Sequence, residues 1–184
     1  MTTMQDNQPN DLLLLGGKII AVFMQIAMAV GAFALIVALP AILIFRDDVA
    51  EAFGAEAAYL ASPLLLLAGV MLIGLAIVTM LFVFFGALRK IISTVGKGDP
   101  FAPANADRLS LMGWLMLGVQ LALIPATALG IQLAQYSDEM EEDVSFTIDG
   151  GMDLTGILLT IILFILARVF RHGAAMREDL EGTV

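Results

Sequence analysis

The sequence predicts an all-α integral membrane protein in which four transmembrane helices form one bundle. Three observations predict this fold class. First, 60% of the residues are hydrophobic and the mean hydropathy is +0.94, whereas soluble domains are about 45–50% apolar. Second, the apolar residues form four charge-free blocks of 14 to 32 residues, and roughly 20 residues cross a bilayer. Third, the basic residues gather in a few intervals between these blocks, as they do on the cytoplasmic side of membranes.

The charge-free blocks define a single membrane domain with four spans. The predicted spans are residues 19–45, 59–95, 105–136 and 152–180. The second span is longer than a bilayer requires, because its apolar spacing continues through residues 88, 91, 92 and 95. The fourth is the shortest charge-free block, and Arg168 lengthens it by reaching towards the headgroups. We therefore predict that the second and fourth helices extend beyond the membrane.

A polar interval separates the second and third spans. Gly96 and Gly98 are expected to end the second helix, and the prolines that follow exclude a continuous helix. Residues 96–104 are therefore a predicted loop. Asn105 is the expected N-cap of the third helix, with Asp107 in its first turn where the helix dipole favours an anion.

The distribution of basic residues predicts the orientation. With the N-terminus inside, eight of the nine Lys and Arg residues are cytoplasmic and only Arg46 is outside. The reverse orientation would place the same eight outside, against the positive-inside rule. Both termini and the 96–104 loop are therefore predicted in the cytoplasm, with acidic external loops at residues 46–58 and 137–151. This arrangement is that of a multi-pass membrane protein with both termini in the cytoplasm.

The sequence offers no constellation that indicates an enzyme. It has no cysteine, a single histidine (His172) and no G-x-S-x-G or H-E-x-x-H motif. The 137–151 loop contains Asp138, Glu139, Glu142 and Asp143, but it lacks the spacing of an EF-hand, so a solvated loop is favoured over a Ca²⁺ site. We therefore predict no catalytic, cofactor-binding or metal-binding residues.

Neutral polar residues within the spans leave a second class of function open. Gln25, Gln120 and Thr127 would line a polar cavity if the chain were a small-molecule transporter or permeability factor. Such proteins usually carry ionisable groups within their spans, whereas the polar residues in the middle of these spans are neutral. Gln25 and Gln120 would equally serve as hydrogen-bonding groups between helices. Four glycines allow close helix contacts, either within one bundle or in a homodimer: Gly31, Gly69, Gly74 and Gly118.

The C-terminal segment carries a narrow apolar seam. Its members, at spacings of three and four residues, are Leu166, Val169, Gly173, Met176 and Leu180. Such a seam is typical of helix pairing. The favoured interpretation is that it packs against residues 88–95, whose helix runs in the same direction. The alternative is a docking surface for a cytosolic protein. Arg168, Arg171 and His172 are expected to anchor the helix to anionic headgroups.

Two stretches carry a family resemblance. The first contains Gly98-Asp99-Pro100-Phe101, Asn105, Arg108-Leu109 and Gly113-Trp114. The second contains Val169-Phe170-Arg171, Gly173, Met176, Glu178, Leu180 and Thr183-Val184. Together they resemble a bacterial family of four-helix inner-membrane proteins of unknown function. Genes of that family often lie beside a small helix-turn-helix regulator of the Cro/CI kind.

The resemblance implies a regulatory role by association. We expect a membrane-bound protein that binds and sequesters, or signals to, a small cytosolic transcription regulator, without contacting nucleic acid itself. The expected partner-binding residues are Phe101, Asn105, Arg108, Phe170, Arg171, Met176 and Arg177. A transporter and an accessory membrane subunit are the alternatives.

Overall fold

The computed structural model describes residues 10–48, 61–134 and 154–181. Regular structure in these residues is helical, without a strand. The four helices are α1 (Asn10–Ile44), α2 (Ala61–Val95), α3 (Pro103–Ala134) and α4 (Leu154–Glu181). The predicted external loops lie outside the described residues, except for residues 46–48, and so do the four carboxylates weighed as a Ca²⁺ site.

All four helices are long and apolar enough to cross a membrane. Helices α1 and α2 each have 35 residues, which corresponds to about 52 Å at the α-helical rise. The hydrocarbon core of a bilayer is only about 30 Å thick. The prediction of an all-helical, multi-pass membrane protein is confirmed, and its orientation stays a prediction.

Two helix starts differ from the sequence prediction. Helix α1 begins at Asn10 rather than at residue 19, because the apolar run of residues 12–15 continues the helix across Gly16 and Gly17. Helix α3 begins at Pro103, a residue suited to the first helical position because its missing N–H is not needed there. Asn105 therefore lies inside the first turn of α3 and is not its N-cap.

Consecutive helices pack antiparallel to one another. A Cβ added to Gly17 would lie 3.4 Å from Ile92 Cδ1, and one added to Gly74 would lie 3.8 Å from Leu35 Cδ1. The start of α1 thus lies beside the end of α2, and the end of α1 lies towards the start of α2. Helix α2 packs on α3 and α3 on α4 in the same manner. The extensive contacts among the described residues join consecutive helices, so the four helices form a row with α1 and α4 at its two sides.

The glycines that suggested close packing serve contacts within the chain. A Cβ on Gly69 would lie 3.0 Å from Leu129 Cδ1, and one on Gly118 would lie 3.0 Å from Met80 Sδ. Gly31 and Gly74 similarly face the neighbouring helix of the α1–α2 pair. These positions therefore explain the approach of α1, α2 and α3, while a homodimer stays a prediction.

The antiparallel row gathers the basic residues at one end. We call this the loop end, because it carries the α2–α3 connection at residues 96–102. There Leu14 of α1 approaches Gly96, and Arg177 of α4 binds Asp99. The same eight Lys and Arg residues that the sequence assigns to one side are therefore found at the loop end, seven of them in helix segments and Lys97 in the turn after α2. Arg46, after the end of α1, lies at the opposite end.

The buried core is also concentrated towards the loop end. Its buried members are Ala87, Ile91, Leu109, Met112, Leu163 and Ala167, with Phe84, Leu88, Val95, Met116 and Phe170 packed against them. Three helices contribute to this cluster: α2, α3 and α4. The large apolar side chains of α1 instead remain mostly exposed, as expected of a surface that faces lipid.

The packing face of α4 differs from the predicted seam. Leu166, Val169 and Met176 are 38%, 54% and 53% exposed, whereas Leu163 and Ala167 are buried in the shared core. The favoured interpretation, in which the seam packs on residues 88–95, is therefore wrong. Helix α4 does share a core with that segment, but through a neighbouring face. Both faces have apolar residues three and four positions apart, so their spacing alone did not distinguish them.

Candidate functional site: the loop end of helix α4

A tight turn at the end of α2 positions the connecting loop. The N–H of Gly98 donates to the Val95 carbonyl at 3.0 Å, and the N–H of Asp99 donates to the Thr94 carbonyl at 3.1 Å. These two bonds, with Gly98 at a φ of +79°, form a Schellman motif. Glycine suits this position because a left-handed backbone strains other residues. The turn directs Asp99 and Phe101 towards α4.

Asn105 fixes the loop from the inside. Its side chain is fully buried, at 0% exposure. The Nδ2 group donates to the Pro100 carbonyl at 3.0 Å, and Oδ1 accepts from Arg108 Nη1 at 2.8 Å. The Thr94 hydroxyl lies 2.9 Å from the same Oδ1, 2.8 Å from the Ile91 carbonyl and 3.3 Å from the Lys90 carbonyl, so three acceptors compete for its single proton. Asn105 thereby ties α2, the loop and α3 together.

Phe101 covers a glycine on α4. Its ring packs on Phe170 with the ring centroids 5.5 Å apart. A Cβ added to Gly173 would lie 2.7 Å from Phe101 Cδ1 and 2.9 Å from Cε1, which is closer than Cβ atoms approach other groups. Only glycine at position 173 therefore leaves room for this ring. Phe101 remains 41% exposed, so part of it faces outward.

Two ion pairs join the same elements at the surface. Arg177 Nη1 donates to Asp99 Oδ1 at 2.5 Å, and Arg171 Nη2 lies 3.4 Å from Asp107 Oδ1. The side chains of both pairs are substantially exposed. Exposed pairs of this kind contribute about 0–1 kcal/mol. They orient α4 relative to the loop more than they stabilise it.

An open groove runs along the outer face of α4 beside Phe101. We call it the α4 groove, and its volume is about 630 Å³. Its lining residues are Phe101, Ile165, Arg168, Val169, His172, Gly173 and Met176. Three of the five seam residues therefore line an open groove. Arg168 and His172, expected to anchor the helix to headgroups, are exposed on the same groove.

Four of the predicted partner-binding residues are accessible. Phe101 and Met176 line the α4 groove, with exposures of 41% and 53%. Arg171 and Arg177 lie on the exposed surface of α4 and reach back to the loop aspartates. The structure therefore brings two separate stretches of the sequence into one surface.

The other three predicted residues have internal roles. Asn105 is fully buried and offers no surface to a partner in this arrangement, while its part in binding stays a prediction. The Arg108 guanidinium is half-buried and donates to Asn105. Phe170 is half-buried in the core beneath Phe101. All three are buried or half-buried for the same physical reason: each lies where the loop packs onto α3 and α4.

Sequence reasoning missed part of the groove wall. Ile165 lies outside the predicted seam, and the sequence has no signal that distinguishes it from other lipid-facing residues. Val169 and Gly173 also line the groove, and the sequence predicts them only as members of the apolar seam. That seam is the one sequence feature that points to a groove, because its residues are apolar and stay open. Gln25 and Gln120 lie elsewhere: Gln25 Nε2 is against Gly86, and Gln120 is buried in α3.

The described residues provide no cluster suited to a metal ion. In that part of the chain, no group of three or more His, Cys, Asp or Glu side chains converges. The groove offers an aromatic ring, a thioether, aliphatic side chains and two basic groups. That combination is suited to recognising another macromolecule or a lipid, because it pairs apolar area with positive charge.

Comparison with known proteins assigns the chain to a family. No curated protein and no solved structure matches it. A family described as a protein of unknown function (DUF2975) matches residues 47–184, which include helices α2, α3 and α4. The match covers about three quarters of the chain and includes the whole loop end of α4. The chain therefore belongs to the DUF2975 family.

Proposed function

We propose that this chain is a membrane-bound regulatory protein of the bacterial inner membrane. In this proposal it binds and sequesters, or signals to, a small cytosolic DNA-binding transcription regulator that docks in the α4 groove. The observation that carries the proposal is the open groove: Met176 of the seam is 53% exposed there, beside the outward-facing part of Phe101, which is 41% exposed.

The location of the groove supports a cytosolic partner. The α4 groove lies at the loop end, where the antiparallel row gathers eight of the nine basic residues. The positive-inside rule puts such an end in the cytoplasm. Helix α4 has 28 residues, which corresponds to about 42 Å and exceeds the thickness of the hydrocarbon core, so its loop end has length to spare for projecting towards a soluble partner.

The residue types of the groove also support protein binding. Aromatic residues, Met and Arg are enriched at the centres of protein interfaces, and a few such residues carry most of the binding energy. Here Phe101 and Met176 provide the apolar anchor, while Arg168 and His172 form a basic side of the groove. A partner with an apolar side chain flanked by acidic groups would be complementary to this surface.

The class of partner rests on the family resemblance and not on the groove. The resemblance implies that genes of the family often lie beside small helix-turn-helix regulators, which is an association by neighbourhood. The mechanism would be a shift of populations. A regulator held at the membrane is absent from DNA, and a signal that favours a different loop-end arrangement releases it.

The test is capture of the full-length protein with its partner. The chain is purified from its native host in mild detergent after cross-linking, and co-purifying proteins are identified by mass spectrometry. We expect a small DNA-binding protein with the wild type. Met176→Asp puts a charge on the groove and should reduce recovery at least about tenfold, as loss of an interface anchor does.

A matched control separates binding from folding. Ala175→Asp adds the same charge one residue away, at an exposed position that does not line the groove. It should retain the partner, and both variants should remain in the membrane fraction. Recovery of no DNA-binding protein with the wild type, or equal loss with Ala175→Asp and Met176→Asp, would contradict the proposal.

A further inference from the structure

A second groove lies at the loop end on the opposite side of the row, between α1 and α2. We call it the α1–α2 groove, and its volume is about 420 Å³. It is lined by Leu14, Leu15, Lys18, Ile92, Ser93, Gly96 and Lys97. It exists because α1 begins at Asn10, early enough for its first turns to lie beside the end of α2.

The groove has an apolar floor formed by close helix packing. A Cβ on Gly96 would lie 3.8 Å from Leu14 Cδ1, and a Cβ on Gly17 would lie 3.4 Å from Ile92 Cδ1. Leu14 and Ile92 therefore close the bottom of the groove where the two helices meet. Apolar atoms of a ligand would be sheltered from water here.

The polar groups around this floor are donors. Among the described lining residues, Lys18 and Lys97 contribute ammonium groups, Ser93 contributes a hydroxyl, and none is a carboxylate. Among the residues whose side chains the structure describes, these three side chains have no ion-pair or hydrogen-bond partner. By contrast, Arg171 and Arg177 of the α4 side both bind aspartates. The α1–α2 groove is thus complementary to an anion with several oxygen acceptors.

Helix α2 does not need these lysines to complete its own hydrogen bonds. The carbonyls of Ile92, Thr94 and Val95 accept backbone N–H groups from the turn that follows the helix. The last turn of α2 is thereby satisfied by the backbone. The ammonium of Lys97, which is exposed, remains available for a ligand.

The surroundings place the groove at the surface of the bilayer. Leu12 and Leu13, at the start of α1, are 78% and 80% exposed. Beyond Lys18, towards the middle of the helix, Ile19 and Ile20 are 59% and 64% exposed. Exposed apolar residues on both sides of a lysine are typical of a helix segment at the interface between lipid and water. A lysine side chain at such an interface reaches towards the headgroup phosphates.

We propose that the α1–α2 groove binds an anionic phospholipid. Lys18, Lys97 and Ser93 bind the phosphate and neighbouring headgroup oxygens, and an acyl chain follows the exposed apolar face of α1 that begins at Ile19. A zwitterionic headgroup is disfavoured because its own cation would be repelled by the ammonium groups of Lys18 and Lys97. This inference requires only that the chain lies in a membrane, and it is independent of the proposed regulatory function.

Native mass spectrometry of the full-length protein tests the proposal. The detergent-solubilised protein is titrated separately with phosphatidylglycerol and phosphatidylcholine, and bound lipid is counted directly. We expect phosphatidylglycerol to bind more tightly. The double variant Lys18→Gln, Lys97→Gln should weaken its binding roughly tenfold to thirtyfold, from about 1 kcal/mol for each basic residue near an anionic surface.

Two controls make the outcome specific. Lys90→Gln removes an exposed lysine of α2 that does not line the groove, and it should leave lipid binding unchanged. Lys18→Arg, Lys97→Arg keeps both charges and should retain most of the affinity. Equal binding of the two lipids would overturn the proposal, and so would an effect of the double Gln variant no larger than that of Lys90→Gln.

Discussion

The contact between Phe101 and Gly173 makes a sharp prediction about how the loop is held on α4. Gly173→Ala introduces a Cβ where the Phe101 ring now lies, 2.7 Å from Cδ1. The α4 backbone at this position is helical and packed beside Phe170. The ring is the part that can move, so we expect the variant to displace Phe101 from α4 and leave the helix intact.

The magnitude follows from the area that Phe101 buries. With 41% of the residue exposed, about 59% is buried, which is roughly 120 Å² for a side chain of about 200 Å². At about 25 cal/mol per Å² this burial contributes up to about 3 kcal/mol. Replacing a helical glycine by alanine by itself raises the free energy of unfolding by about 1 kcal/mol. We therefore expect Gly173→Ala to lower the free energy of unfolding by up to about 2 kcal/mol.

A double-mutant cycle isolates the steric effect. When Phe101→Ala has already removed the ring, Gly173→Ala should instead stabilise the protein, by up to about 1 kcal/mol. Unfolding in detergent can be followed by the fluorescence of Trp114, the single tryptophan. Its ring lies 5.3 Å from that of Phe164 on α4, so the signal reports separation of α3 from α4.

A change of sign between the two backgrounds is the essential outcome. Gly16→Ala serves as a control, because a Cβ there meets nothing within 4 Å, and it should not destabilise the protein. If Gly173→Ala has the same effect with and without the Phe101 ring, the ring does not occupy this space. The account of the loop–α4 contact would then be wrong.

Two further predictions concern the loop. Asn105→Ala should lower the free energy of unfolding by about 1–3 kcal/mol, because the buried amide is the hydrogen-bond partner of the Pro100 carbonyl and the Arg108 guanidinium. The control is the exposed variant Asp107→Asn in the same fluorescence assay. A loss of stability with Asn105→Ala no larger than that of the control would refute this prediction. Gly98→Ala should cost about 1–2 kcal/mol because of the positive φ, and Gly98→Asn should recover part of it, as measured by denaturant unfolding; equal stabilities of the two variants would show that the backbone at this position is relaxed.

Some features of the site were predictable because they depend on local chemistry. The end of α2 before Gly96 and Gly98 follows from the backbone freedom of glycine. The convergence of Phe101 with the C-terminal helix was predicted in outline, because both belong to stretches that would share one side of the membrane. Four of the seven predicted partner-binding residues lie on an accessible surface for this reason. The function of that surface stays a proposal.

Other features depend on neighbours that no local pattern identifies. Asn105 is a residue type that often caps helices. It is buried here because the Pro100 carbonyl and the Arg108 guanidinium both hydrogen-bond to its side chain. Helix α4 has two apolar faces with similar spacing, and the one containing Leu163 and Ala167 is buried because it fits the α2–α3 core. The extra turns of α1 are stabilised where Leu14 and Gly17 pack on α2.

The sequence by itself determined that the chain has four helices of membrane-spanning length. It also determined that the basic residues lie in every second connection between them, because apolar length and charge can be read directly from the order of the residues. Only the tertiary structure decided which side chains are left open to a ligand. Phe101 and Met176 face a groove, and Lys18 and Lys97 line another, because antiparallel packing brings together residues that are far apart in the sequence.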